Sequence, residues 1–434
     1  MEKSIEKLID SAKWTSIHSL MFASLAVGYF MWGVISAIAP LLYPNINSVL
    51  FLLTPTFATF AGDLILSLLS DKILGRKTTF FITMSLYSVG TILLVLASVL
   101  AGFNTDNLAK FPSLILIVLG IVLGVFGVEG EVPVMLSYTA EMMPLRYRDT
   151  ILVIGPNFDN IGAMVAALIG YLSYSISTSF VIELLAISIV AVVGIVMAVV
   201  IRLLLPESVR WLEVKGDINK ANMEAKKVTK EGTEEVKETN VNKKLGLGSR
   251  YAFLAIIGLS QYLTYGLMAF VVADYYFSSS QTPFIIFIAN LGASISGFIA
   301  SYIANKLRTR IFALFSYVGG TLSMIPIIYL TGNFNLAMFY ALLFVNMLFS
   351  EFGWAVRTIY EPILMPKNLR AFMIGLIRIV PITAYTISTY VTQSFSLFDY
   401  IVFNSILWAI GGVATIAWFF KGIDTNYVPL EEVE

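Results

Sequence analysis

Asp63, Glu129, Glu131, Asp159 and Glu351, together with Arg357 and Arg378, stand inside long apolar stretches of this sequence. An ionisable side chain at such a position is costly to keep from water, so each needs a named partner or a task. A buried carboxyl can take up and release a proton, and a guanidinium can neutralise an acid or fork onto an anion. Gly120, Gly124, Gly127 and Glu131 follow i, i+4, i+7 and i+11, which places three small residues and one acid on a single helix stripe. Pro133 lacks the N–H that would bond the carbonyl of Glu129, so a carboxylate stands beside a freed carbonyl, a site for a proton or a small cation.

Asp159 shares a helix face with Gly155 and Gly162 and is flanked by Asn157 and Asn160. Arg378 occupies a comparable depth and has two readings, a pair with Asp159 or a fork for an anionic substrate. Arg357 and Glu361 are four apart, which reads as a local pair, and Asp63 reads as an inter-helix contact. Glu129, Glu131, Asp159 and Glu351 are the candidates for proton coupling, and the alternative for each is a protonated, hydrogen-bonded acid that only holds helices together. Tyr29, Trp32 and Ser36 follow i, i+3, i+7; Gln261, Tyr262 and Tyr265 cluster; Trp354 follows Glu351 by three. With Asn157 and Arg378 these groups suit a sugar-like ring or a small organic or phosphate anion, although such rings also serve as ordinary packing.

Other chemistries are excluded by composition. The chain has no cysteine and one histidine, His18, so no disulfide, thiolate metal site or imidazole cluster can form, and no HExxH or GxSxG motif points to an enzyme. Net charge is zero and the basic residues are scattered, which gives no nucleic-acid footprint. No cofactor is expected, and protons are the expected coupling ion. The first 14 residues are polar and amphipathic, so no cleaved signal is expected.

The elements that must position these groups are membrane helices. The 434 residues are 58% hydrophobic and 13% charged, with a mean hydropathy of +0.82, against roughly 25% charged in soluble domains. A bilayer core takes roughly 20 residues per helix. Stretches of that length predict spans near 17–40, 48–70, 78–102, 113–138, 150–174 and 178–205, then 250–276, 282–304, 310–331, 335–360, 371–394 and 399–420. Between the two sixes lies a polar run from Pro206 to about Arg250, with a short helix expected near Lys220 to Thr229. The reading is an all-α polytopic protein: a six-helix bundle at 1–205, a linker at 206–249, and a second bundle with a short tail at 250–434.

Lysines and arginines concentrate in alternate turns, at Lys72, Arg76 and Lys77, Arg146 and Arg148, Lys306, Arg308 and Arg310, Lys367 and Arg370. By the positive-inside rule that side, with both termini and the linker, is cytoplasmic, in a cell membrane. The halves also repeat. At an offset of 234, Ser67, Asp71, Lys72 and Arg76 fall on Ser301, Asn305, Lys306 and Arg310; at 222, Tyr138, Pro144 and Arg148 fall on Tyr360, Pro366 and Arg370, and Glu129 on Glu351.

Three motifs resemble those of the major facilitator superfamily, within it the sugar-porter and organic-ion or phosphate-porter branches. Asp71-Lys72 with Gly75-Arg76-Lys77 resembles the acidic-basic-x-Gly-Arg-basic turn, with one inserted residue and Ser67 for the leading glycine. Tyr138, Glu141, Pro144 and Arg148 resemble Tyr-x-x-Glu-x-x-Pro-x-x-x-Arg-Gly, with Asp149 for the glycine. Pro206-Glu207-Ser208-Val209-Arg210-Trp211-Leu212 resembles Pro-Glu-Ser-Pro-Arg-Trp-Leu, differing at Val209. The resemblance implies a twelve-helix transporter, a monomer in the bilayer whose halves rock around a small-molecule substrate between the first, fourth, seventh and tenth spans. It assigns Asp71, Arg76, Glu141, Arg148, Glu207 and Arg210, with their counterparts Arg310 and Arg370, to a cytosolic gating network; the plainer reading of each is an interfacial charge. Gln261 falls where sugar porters carry sugar-binding glutamines, and Gly130-Glu131-Val132-Pro133 resembles the Gly-Asp-Tyr-Pro of phosphate porters.

Two departures matter. Met31 stands where proton-coupled sugar porters carry aspartate, and Ile121 near the position of its arginine partner. Either transport is uncoupled or protonation has moved to Glu129, Glu131 or Asp159; the cost of burying those acids favours relocation and proton symport. A non-transporting solute sensor is the rival from another class.

Overall fold

The computed structural model describes residues 4–46, 49–102, 104–176, 180–236, 238–241 and 245–433; parts of the expected second and sixth spans (48, 178, 179) and of the linker (237, 242–244) lie outside them. After α1 (Ile5–Asp10), the first span is α2 (Ser16–Ser36) with α3 (Ile38–Ile46), the second α4 (Val49–Leu69), the third α5 (Gly75–Leu100), the fourth α6 (Ser113–Met142), the fifth α7 (Leu145–Ile154) with α8 (Asn157–Ile176), and the sixth α9 (Phe180–Leu203). The linker carries α10 (Val209–Val214) and α11 (Ile218–Val228). Then come α12 (Leu247–Gly266), a π turn and α13 (Val272–Tyr276) as the seventh span, followed by α14 (Thr282–Ile303), α15 (Thr309–Leu330), α16 (Leu336–Leu364), α17 (Arg370–Thr392) and α18 (Leu397–Lys421). Among the described residues eleven continuous helical rods are long and apolar enough to cross a membrane. One of them, Phe51–Leu100, holds two spans joined by the π turn Ser70–Leu74, which makes twelve crossings.

The fourth and tenth helices outrun the expected spans, ending at Met142 and Leu364, so that Glu141 and Glu361 sit on helix. His18 is explained locally: Thr15 and His18 form a capping box at the start of α2, with the Thr15 N–H donating to His18 Nδ1 at 3.0 Å.

Without a hydrophobic drive between helices in lipid, close packing rests on small residues. Gly33 of α2 lies against the Asp159 carbonyl of α8, and Gly162 of α8 against the Phe30 carbonyl of α2, so either Cβ would strike backbone. Two approaches join the helices before the linker to those after it. Gly375 of α17 meets the Asp63 carbonyl of α4, and Gly297 of α14 meets the Asn157 side chain of α8. Gly75 has φ 77°, and the Glu207 carboxylate occupies the space a side chain would need.

At the linker end the termini, linker and tail interlock. Glu234 N–H donates to the Ser11 carbonyl at 2.7 Å and Lys13 N–H to Gly232 at 3.1 Å, around an isolated bridge between Ala12 and Thr233. After α18 the tail turns back across the bundle, where its main chain accepts bonds from Arg148 and Arg250.

Candidate functional site

The cavity between the halves takes shape from breaks in two helices. Gly155 and Pro156 interrupt the fifth span, so α8 restarts at Asn157 and Asp159 lies in its first turn, where a helix N-terminus favours negative charge. The seventh span carries its π turn at Leu267–Val271, beside Gly266. The cavity offers about 110 Å³ to the centres of water-sized molecules, and one water needs about 10–15 Å³, so a small solute fits.

Trp32, Gln261, Tyr262, Tyr265 and Trp354 line it, as do Glu129, Asp159 and Glu351. The walls come not only from the first, fourth, seventh and tenth spans but also from the second (Thr56, Thr59), fifth (Asn160, Ala163) and eleventh (Tyr385). The remaining substrate candidates sit elsewhere. Tyr29 is buried beside Trp32, and Asn157 bonds the Ser294 carbonyl at 3.0 Å as part of the seam between α8 and α14.

Arg378 pairs neither with Asp159 nor with open space. Its Nε donates to Asp63 at 2.8 Å and its Nη2 to Glu129 at 2.5 Å, across the boundary between halves, and its guanidinium lies 5.5 Å from the Trp32 ring. Gly375 of α17 lies against the Asp63 carbonyl of α4, and this close approach brings Arg378, three residues on, to the Asp63 side chain.

Glu131 is tied within its own half. Arg202 of α9 grips both its oxygens, and Thr83 donates to the same carboxylate. Arg202 was not among the candidates: one turn before Pro206, it reads as an end-of-span charge. Arg357 bonds Glu361 at 2.8 Å as expected and adds a bond to Gln261 at 2.8 Å.

Asp159 and Glu351 are different. Asn160 donates to Glu351 Oε2 at 2.7 Å, yet Glu351 Oε1 and Asp159 Oδ1 are shielded from solvent with no hydrogen-bond partner, and neither forms an ion pair among the described residues. Two carboxyls, one from each half, therefore face one cavity without a fixed cation.

The expected gating residues meet at the linker end. Arg76 bonds Asp71 at 2.5 Å and Glu141 at 2.8 and 3.1 Å, while Arg370 reaches Glu141 from the other half at 3.0 Å. Asp71 also accepts from the Phe372 N–H at 2.8 Å, in the first turn of α17. Its repeat counterpart Asn305 plays the mirrored part, donating to the Arg146 carbonyl at 3.1 Å and Thr150 at 2.9 Å near the start of α7. Likewise Tyr138 donates to the Pro206 carbonyl and Tyr360 to that of Ile423, each just beyond the last helix of its half.

Glu207 caps α5, accepting from the N–H of Arg76 at 2.9 Å and of Lys77 at 3.2 Å, although burial pushes its carboxyl up. Arg210 joins Asp10 and Glu431, both at 2.9 Å, and also donates to the Glu141 carbonyl at 2.6 Å. Burial pushes the Glu431 carboxyl up, but Arg210 outweighs it and holds that carboxyl below its usual range. Arg148 bonds Asp149 and the tail carbonyls of Val428 and Thr425, and Arg310 bonds Asp424 of the tail at 3.0 Å. Trp211 donates to the Asp71 carbonyl at 3.0 Å.

A sequence profile of the Major Facilitator Superfamily matches residues 20–380. No curated protein matches the chain in sequence. Among solved structures, the proton:xylose symporter XylE bound to 6-bromo-6-deoxy-D-glucose is similar with a TM-score of 0.71 and 16% identity, over 96% of this chain and 98% of that chain. The inward-open XylE from E. coli gives 0.65 at 15% identity, over 96% and 99%. The outward conformation of FucP gives 0.59 at 11%, over 91% and 98%.

Proposed function

This chain belongs to the Major Facilitator Superfamily, and from that premise we propose that it carries a small polar solute across a cell membrane by alternating access, coupled to protons. It acts as a monomer with termini and linker in the cytoplasm. The observation that carries the coupling is the pair Asp159 and Glu351, one carboxyl from each half on one cavity wall, neither held by a cation. An acid in such surroundings is stabilised by taking a proton, and release becomes favourable when rocking of the halves admits water. Glu129, bonded to Arg378, would be a second member, freed when that cross-half bond opens. Glu131 is closed off by Arg202 and serves better as a strut.

Of the two solute classes expected from sequence, the anion fits less well, because Arg378 is committed to Asp63 and Glu129. Symport of an uncharged, sugar-like solute is the expectation from sequence, and the XylE and FucP similarities, to proteins described as proton:xylose and fucose:proton symporters, support proton coupling. The test is uptake into proteoliposomes across a broad solute panel with and without an imposed pH gradient. Flux that ignores the gradient would mean an uncoupled uniporter. No substrate-dependent flux or exchange would favour a sensor and remove the transport reading.

A further inference from the structure

The charge of the cavity goes further than its size. Glu129, Asp159 and Glu351 line it, Asp63 stands behind Glu129, and among the described residues the one guanidinium beside these acids, Arg378, is already shared by two of them and covered by the Trp32 ring. Arg202 and Arg357 have their own acids, Glu131 and Glu361. The wall is thus short of positive charge by up to three. It is also aromatic: Trp32, Tyr262, Tyr265, Phe270, Trp354 and Tyr385 present their rings to the same space. Carboxylates and ring faces in a desolvated pocket are the groups that bind a cation.

A separate observation repeats this chemistry toward the end of the bundle away from the linker. Asp274 of α13 has both carboxyl oxygens shielded from solvent and without a hydrogen-bond partner. It acts electrostatically on Tyr43, Tyr275 and Tyr385; the first two rings sit 6.2 Å apart across the halves, and Tyr385 continues into the cavity. Asp274 beside its tyrosines thus repeats the pairing of acid and aromatic found in the cavity.

We propose that the transported solute is an organic cation, a small protonated amine, held by Asp159 and Glu351 within the aromatic wall and exchanged there for protons. This rests on the alternating-access reading and alters its coupling from symport to exchange. Without the amine the two acids take up protons, since isolated carboxylates in such surroundings do not stay charged. The entering ammonium displaces those protons, which leave toward the side the cavity then faces, and proton return on the other side releases the amine. No covalent bond changes. The groups facing Asp159 and Glu351 from neighbouring helices are Glu129, Arg378, Tyr29 and Tyr265, with the neutral Asn160 beside them.

The experiment uses the full chain in proteoliposomes with an internal pH dye, and in detergent with tryptophan fluorescence, since Trp32 and Trp354 line the cavity. Probes of matched size are glucosamine, glucose and gluconate, with putrescine and ethanolamine as further amines. We expect only amines to bind and to drive counter-movement of protons, with affinity at pH 5 weaker than at pH 8 by about tenfold or more, because protons compete for the same oxygens. Asp159→Asn and Glu351→Gln should each weaken amine binding by about tenfold. Transport of glucose or gluconate in preference to amines, or amine affinity indifferent to pH in the unmodified protein, overturns the cation proposal and leaves the transport reading standing. Movement of no probe and of no other solute in the broad panel overturns both.

Discussion

Glu141 and Arg370 are bonded at 3.0 Å across the boundary between the halves, while Arg76 holds the same Glu141 carboxylate from within its own half. Breaking a buried ion pair normally leaves a charge stranded, at a cost of about 3–5 kcal/mol. Here the halves can part without that cost on the acid's side, because Glu141 keeps Arg76, and Asp71, which loses only the Phe372 N–H, keeps Arg76 as well. A latch built this way would close with bonds it can give up and stay folded with bonds it keeps.

Arg370→Gln and Arg76→Gln should therefore differ. The first is expected to lower the melting temperature little while increasing the reactivity of a cysteine placed in the cavity toward reagents from the linker side. The second leaves buried Asp71 without its arginine and Glu141 held only by Arg370 and Ser208, and should cost about 3–5 kcal/mol. Equal thermal shifts for the two variants would contradict this division.

Glu131→Gln leaves Arg202 buried without its acid. It should destabilise by about 3–5 kcal/mol, yet the protein that folds should retain its proton coupling. Loss of coupling at unchanged stability would move Glu131 into the transport site.

Gly162→Ala puts a methyl onto the Phe30 carbonyl and should cost about 1–3 kcal/mol, measured by thermal unfolding in detergent. Gly248→Ala is the control, since a Cβ there meets nothing and the helix gains propensity worth roughly 0.5–1 kcal/mol. Two similar shifts would mean that the α2–α8 contact is looser than described.

Glu213 lies outside the spans where the termini, linker and tail meet. Burial, and then Glu6, push its carboxyl up to about 7, with Arg210 and Lys367 acting the other way. Because the folded chain holds this proton above the pH at which the unfolded chain loses it, its contribution is present at low pH and is lost as pH rises from about 4.5 through about 7. Glu213→Gln should match the unmodified melting temperature at pH 4 and exceed it at pH 8. A shift of the same size at both values would show that the residue acts through packing.

Much of this was legible beforehand, for definable reasons. Span lengths follow from bilayer thickness, and the offsets of 222 and 234 reappear as matched hydrogen bonds of Tyr138 and Tyr360, and of Asp71 and Asn305. Partnerships were less legible. Hydropathy gives a residue's depth but not the direction it faces, which is why Arg378 reads in sequence as a partner of Asp159 or of an anionic substrate, whereas it meets Asp63 and Glu129. Arg202 and Asp274 stand close to span ends, where sequence does not separate a charge that reaches water from one that turns inward. The role of the tail was invisible because its contribution to Arg148 comes from carbonyls, which every residue has.

That last point bears on how this protein can change. Arg148 recognises the route of the tail at Thr425 and Val428, not the side chains found there. Both side chains are buried and Thr425 Oγ1 meets Thr309 Oγ1 at 3.2 Å, so packing rather than Arg148 limits which residues can replace them, whereas a deletion of even one residue between Lys421 and Arg148's acceptors would shift the whole register. Comparison of divergent copies should accordingly find the length of this segment kept where its letters are not.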